Sequence, residues 1–152
     1  MAFILHSGDE ISFDRVFVPT MDWRRPKWPK PTQGLRRLLP TYLTDSAPTR
    51  FSEKGNWFVI AYAANTPVGY AWTVRGAAEG EAYVEEVAVD PEYRRQGLGS
   101  KLIVESAAWV NENEFRSISL LPIDDSDGWV KRLGMEKTDF GYRAEISFLL
   151  GH

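Results

Sequence analysis

The chain has 152 residues, a formal net charge of −3, 43% hydrophobic and 13% aromatic content, two histidines and no cysteine. That length suffices for one well-packed core and is short for two ordinary domains, so a single domain over 1–152 is expected. Absent cysteines exclude disulfides, a thiolate-held metal and a cysteine acyl-enzyme, and the slight acidity argues against a general nucleic-acid binder.

No apolar run is long enough to span a bilayer, and no basic segment followed by an apolar one marks a secretory leader, so the expected location is cytoplasmic, away from membranes. Asp22 to Thr32, DWRRPKWPKPT, interleaves Trp23 and Trp28 with four basic residues and three prolines, and reads as a packed loop able to line an acceptor pocket or a subunit contact. Leu35 to Leu43 has helical spacing, interrupted by Pro40. Trp57 to Ala63 and Val68 to Arg75 read as a hairpin around Asn65-Thr66-Pro67, and Ala82 to Val89 as the third strand of that meander, stopped by Asp90-Pro91.

A loop, Arg94-Arg95-Gln96-Gly97-Leu98-Gly99, then opens a helix. In that helix Leu98, Leu102, Ile103, Ala107 and Val110 fall on one face and Lys101, Glu105 and Glu112 on another, with an end near Asn113. Arg116 to Leu121 is the next strand, closed by Pro122; residues 124–135 cap and form a helix around Trp129 to Leu133 that stops at Gly134; Tyr142 to Leu149 is the last strand. Trp57, Trp72, Trp109 and Trp129 are expected in the core or on a hydrophobic face rather than in a binding cage. His6 and His152 lie near the ends, and no ligand spacing suggests a metal, so none is expected. The pattern describes an α/β (α+β layered) fold, a mixed, mainly antiparallel central sheet flanked by helices.

The loop after the third meander strand is an anion site by construction. The first amides of a helix have no backbone acceptor and carry partial positive charge, and Gly97 and Gly99 let a phosphate approach the backbone. A Walker loop fails on spacing, and a dinucleotide fingerprint is weak because Leu102 stands where its last glycine would be. What remains is Arg94-x-x-Gly97-x-Gly99 preceded by Val-Asp-Pro-x-Tyr-Arg, and here the chain resembles the GNAT acetyltransferase superfamily, over about residues 55 to 149. The resemblance implies that the pyrophosphate of acetyl-CoA, the cosubstrate, is held by Gln96, Gly97, Leu98, Gly99 and Ser100, with Arg94 and Arg95 adding charge. It implies that the Val87 amide polarises the thioester carbonyl, and that the Val87-Ala88-Val89 segment carries the pantetheine arm, Val89 pairing with its amides. It also implies strands that splay apart around that arm, and often a homodimer.

Acetyl transfer to an amine needs a group that takes a proton from nitrogen and donors for the developing oxyanion. The third meander strand supplies Glu81, Glu85 and Glu86. In a regular strand Glu81 and Glu85 share a face and Glu86 points away, unless a bulge intervenes, as is common in this family. Glu85 is the expected base, with Glu86 and Glu81 as alternatives. The tyrosine that protonates the departing thiolate in many GNAT enzymes falls at Val130 here, so the usual acid is missing; Tyr142, Tyr93 or water standing in its place, or a thiolate that leaves unaided, are the alternatives, and Ile123 and Asp124 replace the usual asparagine neighbourhood. The expected activity is N-acetyl transfer from acetyl-CoA directly to a primary amine of a small molecule or peptide. A non-catalytic acyl-CoA binding or sensing module and, behind it, a protein-interaction domain with a vestigial cofactor site are the alternatives.

Overall fold

A computed structural model of the chain describes residues 3–5, 7–18, 55–121, 127–139 and 141–151, with the side chains of Val18 and of 127–129 outside that description. The expected Trp23–Trp28 loop, the helix at 35–43, Pro122, Ile123, Asp124, His6, His152 and the Trp129 side chain fall outside it. In chain order the elements are β1 (Phe3–Ile4), β2 (Glu10–Val18), β3 (Asn56–Ala63), β4 (Thr66–Arg75), β5 (Glu81–Val89), a 3₁₀ turn (Pro91–Tyr93), α1 (Leu98–Asn111), β6 (Ser117–Leu120), α2 (Asp127–Leu133), β7 (Glu136–Thr138), β8 (Gly141–Glu145) and α3 (Ile146–Leu150).

The strands form one eight-stranded sheet in the order β1-β2-β3-β4-β5-β6-β8-β7. Every neighbouring pair is antiparallel except β5 and β6, which are joined through α1. This is the mixed, mainly antiparallel sheet expected from the sequence. Its helix-bearing face is built by period: α1 buries Leu98, Leu102, Ile103, Ser106, Ala107 and Val110, and these meet Ala82 and Val84 of β5, Val59 and Ala61 of β3, and Ala71 of β4. Burying such a side chain contributes about 1.5–3 kcal/mol, so this seam is a main source of stability. Gly69 makes the close approach possible, since a Cβ there would stand 3.0 Å from the Ala88 carbonyl oxygen and 3.3 Å from Leu102 Cδ1.

The opposite face is aromatic. Phe58, Ile60, Tyr70, Trp72 and Val74 form its buried cluster, with Phe58 and Trp72 stacked at 5.6 Å. Trp72 Nε1 donates to Asn56 Oδ1 at 3.0 Å, which satisfies two polar groups inside this layer.

Two expectations are corrected. The β3–β4 turn is Ala64-Asn65, with Ala64 at φ 54, and Thr66 and Pro67 already belong to β4. The last segment is a strand only to Glu145 and then turns helical. Its partner β6 begins at Ser117, which faces Glu145, so no ladder is available beyond that point; the Ile146 N–H instead reaches the Arg116 carbonyl at 2.8 Å. Ile146 and Leu149, three apart, then bury one helical face. Among the described residues no helix is long and apolar enough to cross a membrane.

Candidate active site

The site begins where two strands part. Parallel pairing of β5 with β6 runs only from Glu81–Ser117 to Val84–Leu120, and β6 ends there, while β4 follows β5 to Val89. Among the described residues, no strand pairs with that side of β5 beyond Val84. The Asp90 N–H donates to the Val68 carbonyl at 2.8 Å, which brackets the Gly69–Val89 pair and makes it one whose own amides turn away from β4. By alternation, Val89 and Val87 direct N–H and C=O into the opening. Ala88, between them, turns its backbone to Tyr70 of β4 and its side chain to the aromatic face. The Val89 carbonyl is engaged by Arg94 Nε at 3.0 Å, so this arginine braces the strand end besides bearing charge.

A bulge sits at the start of the opening. Trp72 faces Glu86 and Thr73 faces Val84, leaving Glu85 as the extra residue. The packing records the shift: Ala82, Val84 and Val87 all lie against the cluster under α1, whereas Tyr83 and Ala88 lie on the aromatic side. Glu86 consequently shares the face of Tyr83 and Trp72, its Oε2 is buried, and Glu85 occupies the kink itself, half-buried. Glu81 is placed differently. It accepts from Ser119 Oγ at 3.2 Å and lies 3.9 Å from Arg143 Nε, at the closed end of the β5–β6 pairing.

At the other end of the opening lies the glycine loop. Asp90 takes extended geometry before Pro91, and its Oδ1 accepts the Glu92 N–H at 3.0 Å, ending the strand and starting the 3₁₀ turn. Arg95 (φ 64) and Gly97 (φ 80) are left-handed, and such residues let consecutive N–H groups converge on one side as an anion-binding concavity. Gly97 caps α1 with no side-chain hydrogen bond, and the first bond of the helix is Lys101 N–H to the Gly97 carbonyl at 3.0 Å. The amides of Leu98, Gly99 and Ser100 precede that bond and have no helical acceptor. A Cβ at Gly97 would meet no atom within 4 Å, so the chain at the helix start borders open space. Gln96 faces the N-terminal hairpin, where its Oε1 accepts the Ser7 N–H at 3.3 Å. Lys101, next along the helix, is paired with Glu105 at 3.1 Å.

The structure thus brings Glu85, Glu86, Val87, Val89 and residues 94–100 along one strand edge and the helix it feeds. The two tyrosines considered for proton donation are separated. Tyr93 lines a hollow of about 630 Å³ together with Asp9, Glu10 and Ala64, on the β3 side of the loop. Tyr142 of β8 is 2% exposed and faces Leu120, which faces Val84, so it lies in the last row before the strands part. Its cluster holds Val130 as well, fully buried. The Arg94–Val89 brace and the Gln96–Ser7 contact were missed by sequence reasoning; the second spans 89 positions and leaves no local signal. Among the described residues no group of three or more His, Asp or Glu is placed to hold a metal.

Known proteins share the sequence pattern and the fold. The model of the acetyltransferase (GNAT) family matches residues 17–135 of this chain. Streptothricin acetyltransferase A of Bacillus subtilis (strain 168) is 31% identical over 68 residues, a match covering 45% of this chain and 39% of that protein, so the chain aligns with about two fifths of this relative's length. Among solved structures, a GNAT-family protein from Desulfovibrio desulfuricans superposes with a TM-score of 0.68 at 20% identity, over 90% of this chain and 99% of its own. A GNAT family N-acetyltransferase from Escherichia coli, solved with CoA, gives 0.61 at 17% identity over 91% and 86%. These likenesses extend the fold match across nearly the whole chain.

Proposed function

The chain belongs to the acetyltransferase (GNAT) family, and from that premise we propose that it moves the acetyl group of acetyl-CoA directly to a primary amine of a small molecule or peptide. The observation that carries the reading is the continuity of two backbone surfaces that, among the described residues, have no strand or helix partner: the β5 edge beyond Val84 and the first amides of α1. Together they suit a ligand with an amide-bearing arm and a pyrophosphate.

Acetyl-CoA supplies an activated acetyl group as a thioester. The protein does the rest. Gln96, Gly97, Leu98, Gly99 and Ser100 hold the pyrophosphate through backbone amides, with Arg94 and Arg95 adding positive charge. The segment Val87-Ala88-Val89 supports the pantetheine arm, its amides at Val87 and Val89 making the hydrogen bonds, and the Val87 N–H stands where a carbonyl oxygen gains charge. Glu85 takes a proton from the amine, directly or through water, with Glu86 beside it drawing a cationic acceptor toward the bulge. Glu81 is the weakest candidate, because Ser119 and Arg143 already occupy its carboxylate. Work as one domain in the cytoplasm belongs to this reading, and so does a homodimer.

Calorimetric titration with acetyl-CoA tests it: one saturable site is expected, and no binding at millimolar ligand overturns it. Thiol release on a panel of amines then identifies the acceptor. Glu85→Gln is expected to lower turnover by about 10²–10⁴-fold while leaving acetyl-CoA affinity unchanged. The buried Val130 at the usual tyrosine position favours a second reading, an acyl-CoA sensor, whose mark is tight binding without turnover on any amine.

A further inference from the structure

We infer that Leu121 selects the acceptor. The amine taken by this site stands next to an alkyl chain or an aromatic ring and carries no second charge, a reading that rests on the acetyl-CoA proposal above. The parallel ladder advances one residue at a time, from Glu81 with Ser117 to Val84 with Leu120. One further step sets Leu121 level with Glu85, the bulge carboxylate. Ile118 and Leu120 lie in the cluster under α1, and Ser119 reaches Glu81 on the other face. Alternation gives Leu121 to that other face, which also carries Tyr83 and Glu86. Its backbone is held by close packing, since a Cβ on Gly141 would run into the Leu120 carbonyl oxygen and stand 3.1 Å from Leu121 Cα. The Leu121 side chain is 59% exposed, whereas Leu120 beside it is 6% exposed.

A single exposed leucine is ordinary on a protein surface, and its place is what gives this one meaning. The other exposed large apolar side chains among the described residues are Ile4 on the edge strand, Phe17 near the end of β2, and Phe148 and Leu150 in α3. Leu121 alone lies where β6 stops beside β5. Across from it, Glu85 and Glu86 supply negative charge for an ammonium, and Tyr83, half-buried on the same face, packs on the aromatic cluster. The polar side chains farther down that face are committed to one another. Ser119 Oγ donates to Glu81 Oε1 at 3.2 Å, and Arg143 lies 3.9 Å from Glu81 Oε2 and donates to Glu145 at 3.1 Å. A second ammonium or a row of hydroxyls would have to break these pairs. An alkyl or aryl group next to the amine leaves them intact and covers Leu121, and covering apolar surface is favourable in proportion to its area.

Thiol release at saturating acetyl-CoA tests this with phenylethylamine and pentylamine set against ethanolamine and the diamine putrescine. The wild type is expected to favour the first two by about tenfold in kcat/KM, consistent with partial burial of one leucine side chain. Leu121→Asn should erase that advantage by raising KM for the two apolar amines about tenfold, with kcat, the constants for ethanolamine and acetyl-CoA affinity unchanged. Leu121→Met should restore it. Because Leu121 is exposed, neither substitution threatens the fold. A wild type that takes ethanolamine or putrescine as readily as the apolar amines overturns the inference, as does an apolar preference of full size in Leu121→Asn. A protein that binds acetyl-CoA and acetylates none of these amines also overturns it and leaves the cosubstrate reading standing. One that binds no acetyl-CoA overturns that reading itself.

Discussion

Gly97 shows how one position serves backbone geometry and ligand access together. Its φ of 80 lies where a side chain is strained, yet a Cβ would meet nothing within 4 Å. Gly97→Ala is therefore expected to fold, at a cost of about 1 kcal/mol seen in thermal melts, because the penalty is conformational rather than steric. The added methyl stands before the free amides of α1, so acetyl-CoA affinity should fall about tenfold, consistent with loss of one or two phosphate hydrogen bonds. Tyr62 makes a separate prediction. Burial, and then the charge of Asp14, raise its pKa above the ordinary 10.0. The folded state thus holds this proton longer than the unfolded chain, so the associated stability is present below pH 10 and declines as pH rises through the folded value. Tyr62→Phe should flatten that alkaline part of a stability profile followed by denaturant melts. The glycine loop was legible because its chemistry is local; the Tyr142–Leu120–Val84 row was not, since its members come from three segments joined only by strand pairing.

The element that converts sheet into site is β5. Its alternating pattern was readable from Ala82 to Val89, and the letters EEVAV do not themselves say which residue is the bulge. The expectation of a bulge came from resemblance, and the register confirms one at Glu85. Because Glu85 is the extra residue, deleting it should restore regular alternation, with Val84 and Val87 both still on the face under α1 and only the kink lost. The deletion is therefore expected to keep the fold while weakening acetyl-CoA binding through loss of the kink at the opening, whereas Glu85→Gln keeps both the kink and the affinity. Paired melts and titrations separate bulge geometry from carboxylate chemistry. The misassigned end of the chain has the same cause in reverse: ISFLL is an apolar run that suits strand or helix, and only the length of β6, remote in sequence, ends the ladder at Glu145. β2 was not legible, because EISFDRVFV alternates only through Ile11 and Phe13 before the exposed pair Asp14-Arg15 breaks the period.

Across the whole molecule, the sheet holds its polar opening between two well-buried faces. One face is clamped by α1, and the other carries Phe58, Tyr70 and Trp72. The β3-β4-β5 order was legible from turns and periodicity; the β1-β2 edge and the insertion of β8 between β6 and β7 were not. Among the described residues no strand pairs with the β6 side of β5 beyond Val84, so a ligand laid along that edge can extend the ladder. At ligand concentrations one hundred times Kd, linkage adds about 2.7 kcal/mol, which for a chain of this size raises the melting temperature by about 5–10 °C. Part of that gain is electrostatic, between phosphates and the α1 terminus with Arg94 and Arg95, and added salt should therefore shrink the shift. The remainder comes from the β5 edge and should resist salt. Melting curves with acetyl-CoA, with pantetheine alone and with pyrophosphate alone, at low and high sodium chloride, distinguish the two surfaces. Equal salt sensitivity for pantetheine and pyrophosphate would contradict a division of labour between strand edge and helix terminus.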